Sequence, residues 1–593
     1  MGFYKNTIPK QKIGYVSNPV EGLNEYPSPI NIRDNQFSDC LDVVPYRENA
    51  VKFNYQAVAS AVGSGASGYA NESIADIGTD GVSYIYSIGN YSRDAFASYA
   101  GTTVTVTLAN HGLSAGNYFY IEFETLAGSG TFQVGSVTDA NTFVYTSTTS
   151  LTASDNCDII IGYITKVNLF TDAYTQSNIT SLGYPTYAPD AKAYSSCLFS
   201  TEANNYIVFS YSAVKKLFYH DGSSVASVTI PFYPYKLITH ANRIFAIDDK
   251  NKLWWSAAGD FKDAADWYGS GTTESSVVED SGYWTVERER KLSEIAVIGN
   301  TLYIFGTNSI YAFSGYDYDT FALQVIVPDV GVANRYNVRH LTQTGNVVYF
   351  ISGNDIYEFD GSTAPRVISR SIEINGTLSN GVLGSIDLTD SNYDFISSDE
   401  NRVYVSEGSY GASSTHDPVL YVFEIRNRTW WKYSGINTDA TGIGTVFAYR
   451  YFNSQNRDTT YAVVSDIDSN KFYAFESIGF TGDTIPFVVT KAFSTLPTDK
   501  QTLTSLALQF QAAEDADLYI HVQLSTSAED DDFETIKEYD HYIANGKIET
   551  LELFLPIRLV SRASHYRVKI QISNAICYLY NIERRFRTTG RSR

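Results

Sequence analysis

The sequence predicts an all-β protein: a β-propeller of six or seven blades, with a small β-module inserted in it and a C-terminal β-sandwich after it. Three observations carry that expectation. The 593 residues include 47 Tyr, 33 Phe and 6 Trp beside a single Met, and only 18% are charged. Aromatic and β-branched side chains suit half-buried pleated surfaces, whereas long amphipathic helices draw on Ala, Glu, Lys and Leu. A short phrase recurs through the middle of the chain, and the composition shifts twice, once near residue 101 and once near residue 485.

The phrase is Asn, one variable residue, then an apolar and aromatic strand. It begins at Asn205, Asn242, Asn300, Asn346 and Asn401, and in degenerate form at Thr460. A second aromatic strand follows each time: KKLFYHDG from Lys215, NKLWWSA from Asn251, NSIYAFSG from Asn308, NDIYEFDG from Asn354, PVLYVFEI from Pro418 and NKFYAFES from Asn470. A hairpin repeated about every 50 residues is the outline of a propeller blade, because one small sheet cannot bury both faces alone while a ring of sheets can. A seventh copy is expected at GVSYIYS (81–87), its partner strand displaced by the insertion. The strands of residues 46–100 open the propeller and residues 164–484 supply its remaining blades.

Residues 101–163 are the insertion. They are rich in Thr, Gly, Ser and Val, with alternating strands around Gly-containing turns (GTTVTVTLANHGLSAGNYFYIEF, then GTFQVGSVTDANTFVYT). After residue 484 the strands alternate strictly (SLALQFQ, LYIHVQLS, TLELFLP, YRVKIQIS), which predicts a compact antiparallel sandwich over residues 485–583. Residues 1–45 read as an extended N-terminal arm. Residues 584–593 read as a basic tail whose Arg584, Arg585, Arg587, Arg591 and Arg593 are candidate partner contacts.

The formal charge is −22 at pH 7, which argues against a surface that as a whole grips nucleic acid or anionic membrane. No apolar leader opens the sequence and no window approaches ~18 uninterrupted apolar residues, so no membrane-spanning segment is expected. Cys40, Cys157, Cys197 and Cys577 lie far apart without C-x-x-C spacing and read as isolated buried thiols.

The search for chemistry yields no catalytic, cofactor-binding or metal-binding assignment. Asp248 with Asp249, Asp317 with Asp319, and Asp466 with Asp468 are adjacent carboxylates without a distinguishing context, although propellers can host glycosidases. Asp466 to Asn470 imitates the opening of a calcium loop, but Lys471 stands where Gly is needed and Ser477 where Glu is needed. The Asp-Gly pairs at Asp221 and Asp360 are turn residues. His111 reads as a turn histidine. Of the tryptophan pairs Trp254–Trp255 and Trp430–Trp431, alternation places one member between blades and the other at the rim, where it could stack on a sugar.

Two resemblances add to this reading. The insertion, with Val104 to Gly116 and Gly130 to Tyr145, looks like a small β-module of phage structural proteins. The segments Asn18 to Asn24 and Asn35 to Pro45, the stretch GNTLYIFGTNSIYAFSGYDYDTF (299–321) and GNDIYEFDG (353–361) resemble the packaged-DNA stabilisation proteins that form the tail hub or nozzle of short-tailed bacteriophages. That resemblance implies a structural virion protein of the tail and no enzyme. It implies a homohexameric ring below the portal and adaptor proteins, joined to tail fibre or needle and plug proteins. Double-stranded DNA would pass through its lumen without sequence-specific binding. The alternative is a host-glycan-binding or depolymerising tail protein that uses the propeller rim.

Overall fold

The computed structural model describes residues 11–17, 36–46, 50–53, 56–59, 69–183, 194–268, 281–315, 320–332, 340–378, 395–406, 420–433, 446–452, 458–465, 470–477, 486–493, 500–526, 532–554 and 566–589, with breaks of one to three residues inside the longer spans. Among them, six four-stranded antiparallel sheets and four strands of a larger eight-stranded sheet form the seven blades of a β-propeller. Blade 2 is typical, running Tyr194–Ser200, Asn205–Tyr211, Lys216–His220 and Val225–Thr229 from inside to outside. Blades 3 to 6 begin with the inner strands Lys236–His240, Leu292–Ile298, Leu341–Thr344 and Phe395–Ser398. Each inner strand is followed by the two strands of the recurring phrase and then by an outer strand.

The first turn of a blade is tight, and left-handed residues at or just before the Asn of the phrase make it in blades 3 to 5. In blade 3, Ala241 and Asn242 both take positive φ (47° and 57°), and Gly299 and Gly345 take the equivalent left-handed place in blades 4 and 5. Asn and Gly tolerate that conformation at the least cost. The strands that follow are buried along nearly their whole length. Arg243–Ile247 is fully buried, and Asn205–Tyr211 is exposed only in part at its first residue. A blade packed between two neighbours has no solvent face, so its central strands read as continuous apolar runs.

The ring closes with a strand from the start of the chain. Val446–Phe452, Asp458–Ser465 and Asn470–Ser477 form the first three strands of blade 7, and Gln56–Ala59 pairs outside them. The chain then enters blade 1 at Tyr69–Ile77, which lies against the inner strands of both blade 7 and blade 2.

Blade 1 carries the insertion. Its second and third strands, Ser83–Ala100 and Asp155–Asn168, pair directly from Tyr84 with Asn168 to Ala97 with Asp155 and then run on beyond the blade. Their far halves join Thr103–Thr107, Thr142–Thr146, Gly130–Asp139 and Tyr118–Phe123 into a closed six-stranded barrel. Val104, Val106, Phe119, Ile121, Phe143, Tyr145, Ile159 and Ile161 fill it. The partner displaced from GVSYIYS is therefore Asp155–Asn168, and the barrel grows out of the blade hairpin on shared strands.

The sandwich is woven from both ends of the chain. Its first sheet runs Val43–Tyr46, Ala50–Phe53, Cys577–Thr589, Lys500–Ala512, Ile548–Phe554, with Gln11–Ser17 also paired on Cys577–Thr589. The second runs Phe37–Leu41, Phe487–Thr490, Arg567–Ser573, Ala516–Ser525, Glu534–Ile543. The described parts of residues 1–45 are thus strands of the sandwich and not an extended arm. Phe37 and Val43 bury apolar surface that a free arm would leave in water, and Ala50–Phe53, expected to open the propeller, is a sandwich strand whose Val51 and Phe53 join the same core. The sandwich docks on the outer strand of blade 6, Thr429–Tyr433: the Asp42 amide donates to the Lys432 carbonyl at 2.9 Å, and Lys432 Nζ reaches Asp39 at 3.1 Å.

Candidate functional site

Polar side chains tie the inner strands of neighbouring blades together around the propeller axis. Between blades 1 and 2, the Ser196 hydroxyl donates to Glu72 at 2.9 Å. Between blades 2 and 3, Ser195 Oγ accepts from the Leu237 amide at 3.0 Å and Thr239 donates to the Leu198 carbonyl at 2.6 Å. Lys236 and Glu294 form an ion pair at 2.8 Å between blades 3 and 4, with both side chains largely buried. Gln343 reaches the Val297 carbonyl between blades 4 and 5. Thr342 and Ser398 share a hydrogen bond at 2.7 Å between blades 5 and 6, beside Thr344 donating to the Asp399 carbonyl at 3.0 Å. Asp76, near the end of the inner strand of blade 1, is held above the usual carboxylate range by burial, against opposing hydrogen bonds from Ile77 and Asn205 and the charge of Lys166. Chemically this belt is a set of inter-blade clasps in which donors and acceptors take up one another.

A second polar centre lies on the rim where the third and fourth strands of blades 5 and 6 turn. Glu358, on the third strand of blade 5, is 7% exposed. Its Oε1 receives Arg366 at 2.6 Å and its Oε2 receives Arg428 at 2.8 Å, while the two arginine side chains are 57% and 47% exposed. Arg428 sits in the hairpin between Leu420–Glu424 and Thr429–Tyr433 with φ 55°, and its guanidinium covers the Phe423 ring at 5.7 Å. Below, Tyr349 is pushed up to about 12, first by burial and then by the Glu358 charge. Next along the rim, Arg402 Nε donates to Glu424 at 3.1 Å, and burial raises the Glu424 carboxyl against that cation.

The residues singled out in the sequence take other roles. His111 lies 5% exposed in a barrel turn, where its Nδ1 accepts from the Leu113 amide at 2.9 Å and its Nε2 meets the Asp139 carbonyl at 3.1 Å. Both ring nitrogens are held by backbone, with Nε2 as the donor that this pairing requires. Beside it is a shallow hollow of about 330 Å³ lined by Asn110, Gly112, Leu113, Val137 and Ala140. Trp254, Trp255, Trp430 and Trp431 are all buried, which corrects the expectation that one of each pair reaches the rim. Trp254 stacks on Phe232 at 4.5 Å in the core shared by blades 2 and 3, while Trp255 faces the core shared by blades 3 and 4. Both sides of a blade strand are interior, so alternation sorts its residues between two cores and not between core and water.

Asp248 accepts the amides of Lys250 and Lys252 at 2.9 and 3.0 Å and the Trp254 indole at 3.3 Å, a turn-closing role. Asp221 closes its turn on Ser223 and Ser224, and those four hydrogen bonds hold it well below the usual carboxylate range despite partial burial. Asp317, Asp319, Asp466 and Asp468 lie outside the described residues. Arg584, Arg585 and Arg587 belong to the sandwich strand Cys577–Thr589 and not to a tail. Arg584 covers the Phe493 ring at 3.5 Å, and Arg585 pairs with Glu552 at 2.6 Å and Glu583 at 2.8 Å. The backbone of Arg587 pairs with Gln11 and Thr502; Arg591 and Arg593 lie outside the described residues. The four cysteines are buried free thiols, and burial pushes Cys157 and Cys197 up to about 12. No group of three or more His, Cys, Asp or Glu suited to a metal occurs among the described residues, and none of their helices is long and apolar enough to cross a membrane.

Sequence reading passed over Glu72, Glu294 and Glu358. A signal was there: each is a carboxylate inside a blade strand that also carries apolar residues on both sides of it (YANESIADI, LSEIAVI, DIYEF), where an unpaired charge is too costly to bury.

No family model matches the chain, and no curated protein matches it. Solved structures with a similar trace include the β-propeller domain of the Trilobed protease from Pyrococcus furiosus (10% identity, TM-score 0.29, 65% of this chain and 97% of that one). An exo-β-1,3-galactanase from Phanerochaete chrysosporium is also similar (8%, TM-score 0.23, 67% and 97%). So is the endosialidase of phage phi92 (12%, TM-score 0.21), where the match covers 75% of this chain and 65% of that chain's length. The propeller assignment rests on the seven blades themselves.

Proposed function

We propose that this chain is a structural tail protein of a short-tailed bacteriophage, the ring-forming nozzle or hub below the portal and adaptor that continues the DNA exit channel. The observation that carries this reading is the weave of the chain ends. Strands from residues 37–59 complete both the sandwich and the last propeller blade, so one short stretch of chain is built into the β-ladders of both units. That suits a body that must hold while packaged DNA presses on it. The blade 4 hairpin Thr301–Gly306 with Ile310–Ser314 is the segment that resembles the tail proteins most closely. The −22 charge agrees with a lumen that repels phosphate and lets DNA slide. Burial of all four paired tryptophans weighs against the glycan-stacking alternative.

Electron microscopy of the purified full chain, alone and mixed with portal and adaptor proteins, tests this. Rings with an open axis that seat on the adaptor are expected. A dispersed protein that binds or cleaves host polysaccharide overturns it in favour of the glycan-directed reading.

A further inference from the structure

We propose that Arg366 and Arg428 form a receptor for a single oxyanion group, a carboxylate or a phosphate, presented at the rim between blades 5 and 6. The site is built from beneath. Glu358 is buried, and each of its oxygens takes one nitrogen of a different arginine, at 2.6 and 2.8 Å. Two guanidiniums are thereby anchored on the two oxygens of one carboxylate. Each carries five N–H donors and offers one nitrogen to Glu358, and both side chains are about half-exposed to solvent.

The charges favour an anion. Two guanidinium cations against one carboxylate leave one positive charge, on a chain whose total is −22. Partial desolvation by the rim strengthens an added ion pair relative to one in open water, and the planar fork matches carboxylate and phosphate geometry. The two arginines come from different blades: Arg366 from the outer strand of blade 5, Arg428 from a blade 6 hairpin. Phe423 supports the second guanidinium from one face. Glu358 acts as internal counter-ion, fixing both forks without neutralising them.

The test is binding of inorganic phosphate and of acetate to the full chain, each against sodium chloride at matched ionic strength, followed by phosphorus line broadening and by saturation transfer to the acetate methyl. Saturable binding of either anion supports the site, and the preferred one distinguishes a phosphate-type from a carboxylate-type ligand. Arg366→Gln should weaken binding about tenfold, and Arg366→Lys should recover only part, because charge returns without the fork. Arg428→Asn should weaken it similarly while folding normally, since Asn accepts the left-handed backbone found there. Glu358→Gln should bind several-fold tighter, with a melting curve run alongside and Tyr349→Phe as a control for damage beneath the site. No perturbation beyond chloride, equal binding by the arginine variants, or a folded Glu358→Gln that binds no tighter overturns the proposal and leaves Glu358 as an inter-blade clip.

Discussion

The blades and the inserted barrel use the same strands under opposite burial rules. Ser83–Ala100 and Asp155–Asn168 pass from one to the other without a break in their pairing. In the barrel, Thr103–Thr107 alternates between exposed or half-exposed and buried residues, and Thr142–Thr146 does nearly the same. In the blades, Arg243–Ile247 is buried throughout and Thr301–Gly306 from its second residue on. A closed barrel has one interior and one water-facing surface, whereas a blade has two interiors. Alternation in sequence therefore tells inside from outside only where a sheet faces water on one side.

Truncating a blade residue should have the largest effect. Trp254→Ala removes a side chain that stacks on Phe232, meets the Tyr283 ring at a tilt and donates its indole N–H to Asp248, and about 3–5 kcal/mol of stability should be lost in urea titrations. A loss below ~1 kcal/mol would mean that the blade face is not a true core.

Next comes His220 in blade 2, packed edge-on against Tyr86 of blade 1, its Nδ1 accepting from the Gly222 amide at 2.8 Å. Burial, with the nearby Lys166 charge, pushes it down to about 4. Its folded value lies below the unfolded one, so its stabilisation is complete above pH ~6.5 and is lost as pH falls towards 4. That amounts to roughly 2–3 kcal/mol. Urea titrations at pH 7.5, 6 and 5 should show this limb in the native chain and a shallower one in His220→Gln; parallel pH profiles would place the acid sensitivity elsewhere.

Excising the barrel sharpens the contrast further. Replacing residues 98–154 with Asn-Gly joins Ala97 to Asp155, residues already opposite one another in the ladder. The propeller should keep its near-ultraviolet circular dichroism and melt within a few degrees of the parent. Collapse of that signal would show that blade 1 depends on the barrel. The smallest effect belongs to the barrel exterior: Thr107→Ala, at an exposed position, should change stability by less than ~0.5 kcal/mol.

Most of the blade framework was legible in the chain. The phrases from Asn205 to Asn401 are second strands of blades, and the partners named beside them are third strands. Their signal is local, since a tight turn and two aromatic strands sit within about 20 residues. The rim site was not legible, because Glu358 and Arg428 are 70 residues apart and meet only when two blades stack. Equally hidden was the pairing of Val51 with Leu579, in which a stretch read as opening the propeller becomes part of the sandwich core.

By itself, then, the sequence determined strand content, the turn chemistry of the repeat and the boundaries where one pattern yields to another, all of which follow from neighbours along the chain. Tertiary structure alone decided that the ring has seven blades, that a strand from residues 56–59 closes it, and that both members of each tryptophan pair are buried. Those outcomes depend on which surfaces meet when distant segments pack, and burial there is set by the second surface, which no local window contains.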